Sequence, residues 1–119
     1  MISYKELIVW QKAVVLCTEL YKLTNKFPKS DLYGLTSQMR RSVVSIPSNI
    51  AEGHYRGHKE YIQFLRIAFG SGAELETQLL IALNIKYVSQ NEYNNLNNLL
   101  SEVMKMLNKI ISSLISSNP

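Results

Sequence analysis

The sequence has little of what secreted and membrane proteins require. It contains one cysteine, Cys17, so no intrachain disulfide can form and a reducing compartment is expected. Charged or polar residues interrupt every apolar run well before the roughly 20 residues that a membrane span needs. The first residues lack the apolar segment and the small-residue cleavage site of a signal peptide. These absences predict a cytoplasmic protein that does not enter a membrane.

Patterns that indicate catalysis or metal binding are also scarce. The sequence contains no Gly-x-Ser-x-Gly elbow, no P-loop and no zinc-protease motif. His54 and His58 lie four residues apart, but an expected helix break separates them and no carboxylate completes a ligand set. Cys17 has apolar helical neighbours, which is typical of a small core residue. We therefore predict a protein that is not an enzyme and that holds no metal or cofactor.

Apolar residues at helical spacing are what the sequence does contain. They form 46% of the 119 residues, and charged residues form 18%, as in a globular domain with one core. They recur every three and four residues in four segments, and no segment alternates with the period of a strand. This pattern predicts one all-α domain with helices over about residues 4–26, 31–53, 58–86 and 90–115. In the first helix the stripe is Leu7, Trp10, Val14, Cys17 and Tyr21, widened by Val9, Ala13, Leu16 and Leu20.

Polar residues predict where the helices begin. Ser3 followed by Glu6, and Ser89 followed by Glu92, are capping-box patterns for the first and fourth helices. Ser30 is expected to cap the second helix. The connections between the helices are short, which predicts an antiparallel up-down-up-down four-helix bundle. The apolar faces are wider than one such core requires, which predicts self-association.

Proline and glycine predict irregularities inside the second and third helices. Pro47 removes one backbone hydrogen bond, at a cost of roughly 3 kcal/mol in a helix interior, so we expect a kink near it. Gly53 is expected to end the second helix in the left-handed conformation. Gly70 and Gly72 lack side chains and predict a close crossing with a neighbouring helix.

A polar stripe borders the apolar face of the second helix, and the third helix carries a matching set. The stripe consists of Arg41, Ser45, Asn49 and Glu52, and the matching set is Ser71, Glu74 and Gln78. Antiparallel packing would bring the two sets together, with Arg41 near a glutamate. We favour a structural hydrogen-bonded network that fixes the helix register. A small polar pocket is the alternative.

Positive charge is concentrated in the first half of the chain. The net charge is +4, with five lysines against two glutamates in residues 1–30 and four cationic residues against four glutamates in residues 61–119. A polyanion would therefore be attracted to the first half. We interpret the loop that contains Tyr55 as an ordinary exposed helix–helix connection, with stacking of Tyr55 on an unpaired base as the alternative. The candidates for phosphate contacts are Lys5, Lys12, Lys22, Lys26, Arg40, Arg56 and Lys59.

Three segments of the sequence carry a family resemblance. They are LIVWQKA near the start, QMRRSVVSIPSNIAEG at Gln38–Gly53, and KEYIQFLRIAFGSGAELETQL at Lys59–Leu79. Together they closely resemble the four-helix-bundle family of 23S rRNA intervening-sequence proteins. The family signature falls on Arg41, Ser45, Pro47, Asn49, Glu52, Gly53, Gly70, Ser71, Glu74, Glu76 and Thr77, positions that identify the fold. The resemblance implies a ring-like homopentamer. A related bundle, the accessory variability determinant of diversity-generating retroelements, is pentameric and binds nucleic acid and a reverse transcriptase.

Two functions follow from these observations. The leading interpretation is a non-enzymatic homo-oligomeric scaffold that binds structured RNA, such as rRNA, through phosphate contacts, with an affinity that falls steeply as salt rises. The alternative is an oligomeric adaptor whose ligand is a protein, such as a reverse transcriptase, and whose binding surface is an exposed apolar patch. The coding context would separate them: a reading frame inside a 23S rRNA gene supports the first, and one beside a reverse transcriptase supports the second.

Overall fold

A computed structural model describes residues 2–117 of the chain. Four helices form it, and these residues contain no strand: α1 (Ile8–Thr24), α2 (Ser37–His54), α3 (His58–Asn84) and α4 (Gln90–Ser116). A 3-10 turn, Tyr4–Glu6, precedes α1. A second 3-10 turn, Lys29–Asp31, and a π-helical turn, Leu32–Thr36, lead into α2. The predicted all-α class with four helices is confirmed.

The helices form an elongated antiparallel bundle of 48 × 22 × 20 Å. Lys12 pairs with Glu102, and Lys26 pairs with Glu92, so α1 and α4 run in opposite directions. Each helix contacts its neighbours in the chain, and α1 also contacts α4, which closes the bundle. The α2–α3 and α3–α4 connections are short, so those pairs are antiparallel as well.

The core is one cluster of apolar side chains from all four helices. Burial of one such side chain contributes about 1.5–3 kcal/mol. In α1 the buried positions are Val9, Ala13, Leu16 and Leu20, whereas Val14 and Tyr21 are exposed. The apolar stripe predicted from the sequence, which runs from Leu7 to Tyr21, therefore lies at the edge of the buried face of α1. The largest fully buried side chains of the other helices are Met39, Ile46, Ile50, Leu65, Leu75, Leu79, Leu100 and Leu107.

Both predicted capping boxes are present. The box of Ser89 and Glu92 caps α4, as predicted. The box of Ser3 and Glu6 caps the 3-10 turn, and Leu7 then adopts an extended conformation with ψ of 125°. The first α-helix therefore begins at Ile8 rather than at residue 4, because this extended residue separates the turn from the helix.

The second helix begins differently from the prediction. The carboxylate of Asp31, not Ser30, accepts the capping hydrogen bond, from the backbone N–H of Leu35 at 3.2 Å. Gly34 has φ of −104° and ψ of −115°, which is not helical, so the regular helix starts at Ser37. From there α2 is a single helix that includes Pro47. A bend at Pro47 stays a prediction.

Gly53 does not end α2 in the left-handed conformation. The helix continues to His54, and none of the glycines in the described range has a positive φ. A Cβ atom at Gly53 would lie 2.6 Å from the Cβ of Phe64 on α3, so this glycine permits close approach of the two helices. Gly72 packs in the same way against Met104 of α4, which confirms the predicted close crossing there. Gly70 is exposed, with open space around it.

Candidate functional site

Three of the lysines that we predicted to contact phosphate, two in α1 and one just after it, each have a carboxylate beside them. Lys12 pairs with Glu102, Lys22 with Glu19 at 3.2 Å, and Lys26 with Glu92 at 3.1 Å. Exposed pairs of this kind contribute at most about 1 kcal/mol to stability. Their carboxylates nevertheless lower the positive potential that a polyanion would meet along α1. The structure therefore does not combine these lysines into one basic surface.

Arg40 is held among side chains of α1. Its guanidinium carbon lies 4.5 Å from the centre of the Tyr21 ring. Its Nε donates to the Thr24 hydroxyl at 2.9 Å, and one Nη donates to the Asn25 side chain at 3.0 Å. These contacts fix the start of α2 against the end of α1. Arg40 is therefore occupied within the fold rather than presented to a ligand.

The other candidates meet at one end of the bundle, where the start of the chain packs on the α2–α3 connection. The Tyr4 ring lies 5.3 Å from Trp10 and 5.8 Å from Tyr55, both edge to face. Such ring pairs contribute about 0.5–1.5 kcal/mol each. This packing places Lys5 at the same end as the connection. We call this region the aromatic end and define it as Tyr4, Lys5, Trp10, Tyr55, Arg56 and Lys59.

The aromatic end presents an exposed ring and unpaired cations. Tyr55 is 78% exposed. Lys5 and Lys59 form no ion pair with any of residues 2–117. Arg56 donates two hydrogen bonds to Glu52, at 2.9 and 2.6 Å. An accessible aromatic face beside lysines is what a single-stranded nucleic acid requires for base stacking and phosphate contact.

The predicted polar network between α2 and α3 forms in part. The hydroxyls of Ser45 and Ser71 are 2.8 Å apart, and the Asn49 amide donates to the backbone carbonyl and the hydroxyl of Ser45 at 2.7 and 2.8 Å. These three side chains connect the two helices. A hydrogen bond between neutral groups adds about 1 kcal/mol, so the network stabilises one register of the pair.

The three charged members of that prediction lie outside the network. Arg41 and Glu74 are exposed and form no ion pair within the described part of the chain, and Glu52 binds Arg56 instead. The expected pairing of Arg41 with a glutamate is therefore not present. Arg41 and Glu74 both border the open groove between α2 and α3, where their charged groups are exposed to solvent instead of paired.

A groove of about 470 Å³ between α2 and α3 corresponds to the alternative of a polar pocket. Arg41 and Glu74 border it, and the side-chain oxygen of Gln78 is buried there without a partner among residues 2–117. Neither histidine nor cysteine lines the groove. No nucleophile and base are paired in it, so it offers no arrangement for covalent catalysis.

Cys17 has a structural contact that sequence reasoning missed. Burial raises the pKa of its thiol to about 11, so the thiol is protonated at neutral pH and is a poor nucleophile. Its Sγ donates to the carbonyl oxygen of Val43 at 3.1 Å. In a regular helix that carbonyl accepts from the residue four positions later, which here is Pro47 and has no N–H. The thiol therefore supplies the donor that the proline lacks.

The two histidines do not form a metal centre with other residues. The His54 ring packs edge to face on Tyr61, with centroids 5.6 Å apart. Over residues 2–117, no three His, Cys, Asp or Glu side chains converge as ligands. None of the helices in that range combines the length and the hydropathy of a membrane span.

Comparisons with known proteins agree with this fold. A solved structure of a protein of unknown function, from the S23 ribosomal protein family of Bacteroides thetaiotaomicron, superposes with a TM-score of 0.82. It is 25% identical to this chain, and the match covers 87% of this chain and 98% of that one. A comparison with curated proteins gives no match. The family model described as 23S rRNA-intervening sequence protein matches residues 5–109, and the chain therefore belongs to that family.

Proposed function

We propose that this protein is a non-enzymatic, homo-oligomeric scaffold of the cytoplasm that binds RNA through the aromatic end. The observation that carries the proposal is the exposed Tyr55 ring at the same end of the bundle as Lys5 and Lys59, which form no ion pair in residues 2–117. Stacking of one base on an aromatic side chain contributes roughly 1–3 kcal/mol. The description of the family as 23S rRNA-intervening sequence proteins favours RNA as the nucleic acid.

A titration of labelled RNA tests this proposal. The probes are a 20-nucleotide single strand and a hairpin of the same composition, each measured by fluorescence anisotropy at low and at physiological salt. We expect Tyr55→Ala to weaken binding of the single strand about tenfold, since it removes the stacking ring. Tyr55→Phe is the matched control, because it keeps the ring, and it should bind as the unchanged protein does. Absence of binding at low salt, or equal binding by Tyr55→Ala, would contradict the proposal.

The oligomeric part of the proposal is a ring-like homopentamer. Its support is the set of exposed apolar side chains along one side of α3 and at its end, Ile67, Ile81 and Ile85. Contiguous exposed apolar surface on a small domain is typical of an interface. Light scattering on the purified protein should give a particle of five times the chain mass of 13.6 kDa. A particle with the mass of one chain at all concentrations would exclude this part.

An adaptor for a protein partner is the second candidate function. Ile8 and Val15 are 60% and 51% exposed, and they lie on the same side of α1 as Lys12, which faces α4. Neither residue belongs to the aromatic end as defined above. A pull-down with a purified reverse transcriptase that survives nuclease and high salt, and that Ile8→Ser/Val15→Ser abolishes, would support the adaptor. Loss of the complex under nuclease and high salt would exclude it.

A further inference from the structure

A groove on the outer surface between α1 and α2 combines apolar side chains with two guanidinium groups. That of Arg40 binds Thr24 and Asn25, and that of Arg41 forms no ion pair in residues 2–117. We call it the α1–α2 groove and define it as Tyr21, Leu32, Tyr33, Arg41 and Val44. It encloses about 640 Å³, and none of its lining residues is acidic. Tyr33 is 93% exposed, and the other three apolar residues are 40–43% exposed. Exposure on this scale at one site indicates a surface that another molecule covers.

A second surface has the opposite charge and a similar apolar content. We call it the α3 stripe and define it as Ile67, Glu74, Ile81 and Ile85. The first three are spaced by seven residues, which is two helical turns, so they follow one line along α3. The three isoleucines are 44–47% exposed. Glu74 forms no ion pair with the rest of residues 2–117.

We propose that the α3 stripe of one copy docks into the α1–α2 groove of a second copy, with Glu74 of one paired with Arg41 of the other. The inference rests on the self-association in the proposed function and names the surfaces that produce it. An amphipathic helix with anchors seven residues apart is a common occupant of an apolar groove. The charges match, because the groove contributes a guanidinium and the stripe contributes a carboxylate.

The two surfaces lie on different parts of the same chain, which determines the kind of assembly. A contact between unlike surfaces is heterologous, so each copy has one groove and one stripe free to continue the chain of contacts. Such contacts close into a ring when the rotation between copies permits it.

Pairing of Arg41 and Glu74 inside one chain is the competing arrangement. Both residues border the α2–α3 groove, but their charged groups form no ion pair across it. The Ser45–Ser71 hydrogen bond already spans this pair of helices without them. A test must therefore distinguish a contact between copies from a contact within a copy.

Charge reversal with sedimentation velocity over a range of protein concentrations makes that distinction. Arg41→Glu alone, or Glu74→Arg alone, places like charges at the interface and should weaken self-association at least about tenfold. The double variant R41E/E74R should restore it. An equimolar mixture of the two single variants should form complexes that contain both chains. Matched controls are Arg66→Glu, at the α3–α4 groove, and Glu76→Arg, ~200° around α3 from Glu74.

Each outcome of this experiment decides between the alternatives. Unchanged association of both single variants would overturn the assignment of these surfaces and leave the oligomeric scaffold intact. Restoration in the double variant without association in the mixture would place the pair within one chain and would also overturn the assignment. A wild-type protein with the mass of a single chain would remove the assignment together with the oligomer, whereas RNA binding by the aromatic end is measured separately. Circular dichroism verifies that every variant is helical.

Discussion

Two aromatic clusters at opposite ends of the bundle differ in their exposure to solvent. At the end opposite the aromatic end, where the α1–α2 and α3–α4 connections meet, the rings of Phe27 and Tyr87 pack 5.0 Å apart and Phe27 is 5% exposed. Lys26 is neutralised there by Glu92 of the α4 capping box. At the aromatic end Tyr55 is 78% exposed. Phe27 and Tyr87 therefore close the core at one end, which we call the closing end, whereas Tyr55 is presented to solvent at the other. Tyr33, in the connection into α2 at the closing end, is exposed as well.

The difference shows which residues are available for binding. A ring in the core and a lysine beside a carboxylate contribute to the stability of the fold, and they offer little to a ligand. An exposed ring and lysines that form no ion pair remain available, and the proposed RNA binding would use them. The following variants test that separation, from the largest expected effect to the smallest.

Gly53→Ala should destabilise the protein by about 1–3 kcal/mol, because the added Cβ would lie 2.6 Å from the Cβ of Phe64 in a tightly packed contact. This contact positions the α2–α3 connection at the aromatic end. Gly70→Ala is the matched control, since open space surrounds that helical position and alanine favours a helix by about 1 kcal/mol. Urea unfolding should therefore give changes of opposite sign. Equal changes would show that close approach at Gly53 is not important.

Substitution of lysines should lower the affinity for RNA more at the aromatic end than at the opposite end. Lys5→Gln/Lys59→Gln should lower the affinity for single-stranded RNA about tenfold, and it should reduce the salt slope by about 0.7 for each lost phosphate contact. Lys22→Gln/Lys26→Gln removes the same charge where carboxylates already lie alongside, so its effect should be several times smaller. The measurement is the affinity at several salt concentrations. Equal losses would mean that total charge, rather than the aromatic end, determines binding.

The sequence predicted elements whose signals are local. The α4 capping box was identified from Ser89 and Glu92 alone, since both of its hydrogen bonds join residues three apart. The start of α2 was misplaced because it depends on the non-helical backbone of Gly34. The left-handed helix end predicted at Gly53 is wrong, because the position requires a glycine for another reason: Phe64 of α3 packs closely against it. Contacts of this kind between helices cannot be predicted from a short window of the sequence.

The candidate site was predicted less completely for the same reason. The carboxylates that neutralise Lys12 and Lys26 lie 90 and 66 residues further along the chain. A count of charges within one segment of the sequence therefore treats these two lysines as unpaired, because their partners lie in another segment. Among the candidates, the pairs of Lys22 with Glu19 and of Arg56 with Glu52 join neighbours three and four residues apart. The contribution of Lys5 to the aromatic end likewise depends on ring packing between distant segments.

Lys86, at the closing end, has φ of 66°, the left-handed conformation that favours glycine. It follows α3 where the N–H of Tyr87 bonds to the carbonyl of Ala82 at 2.9 Å. Lys86→Gly should therefore stabilise the protein by up to about 1 kcal/mol. Lys105→Gly, on an exposed position inside α4, should destabilise it by about 1 kcal/mol. Urea midpoints that fall for both variants would contradict the prediction that glycine relieves backbone strain at position 86.

Glu92 should make the stability of the closing end depend on pH. The backbone N–H of Ser89 and then the ammonium of Lys26 hold the pKa of its carboxyl below the ordinary value of 4.5. A carboxyl with a lower pKa in the folded state stabilises the fold above its unfolded-state pKa and loses that contribution as pH falls through its folded-state pKa. The group is largely exposed, so the contribution is roughly half a kcal/mol. Glu92→Gln keeps a capping side chain but cannot titrate, so urea unfolding should show a larger loss of stability at pH 7 than at pH 3.

Glu76→Gln, on an exposed site of α3 without an ion pair in residues 2–117, is the control and should show a smaller dependence on pH. A difference between Glu92→Gln and the unchanged protein that stays constant with pH would show that the charge of Glu92 does not stabilise this end, and the contrast between the two ends would then depend on their aromatic residues alone.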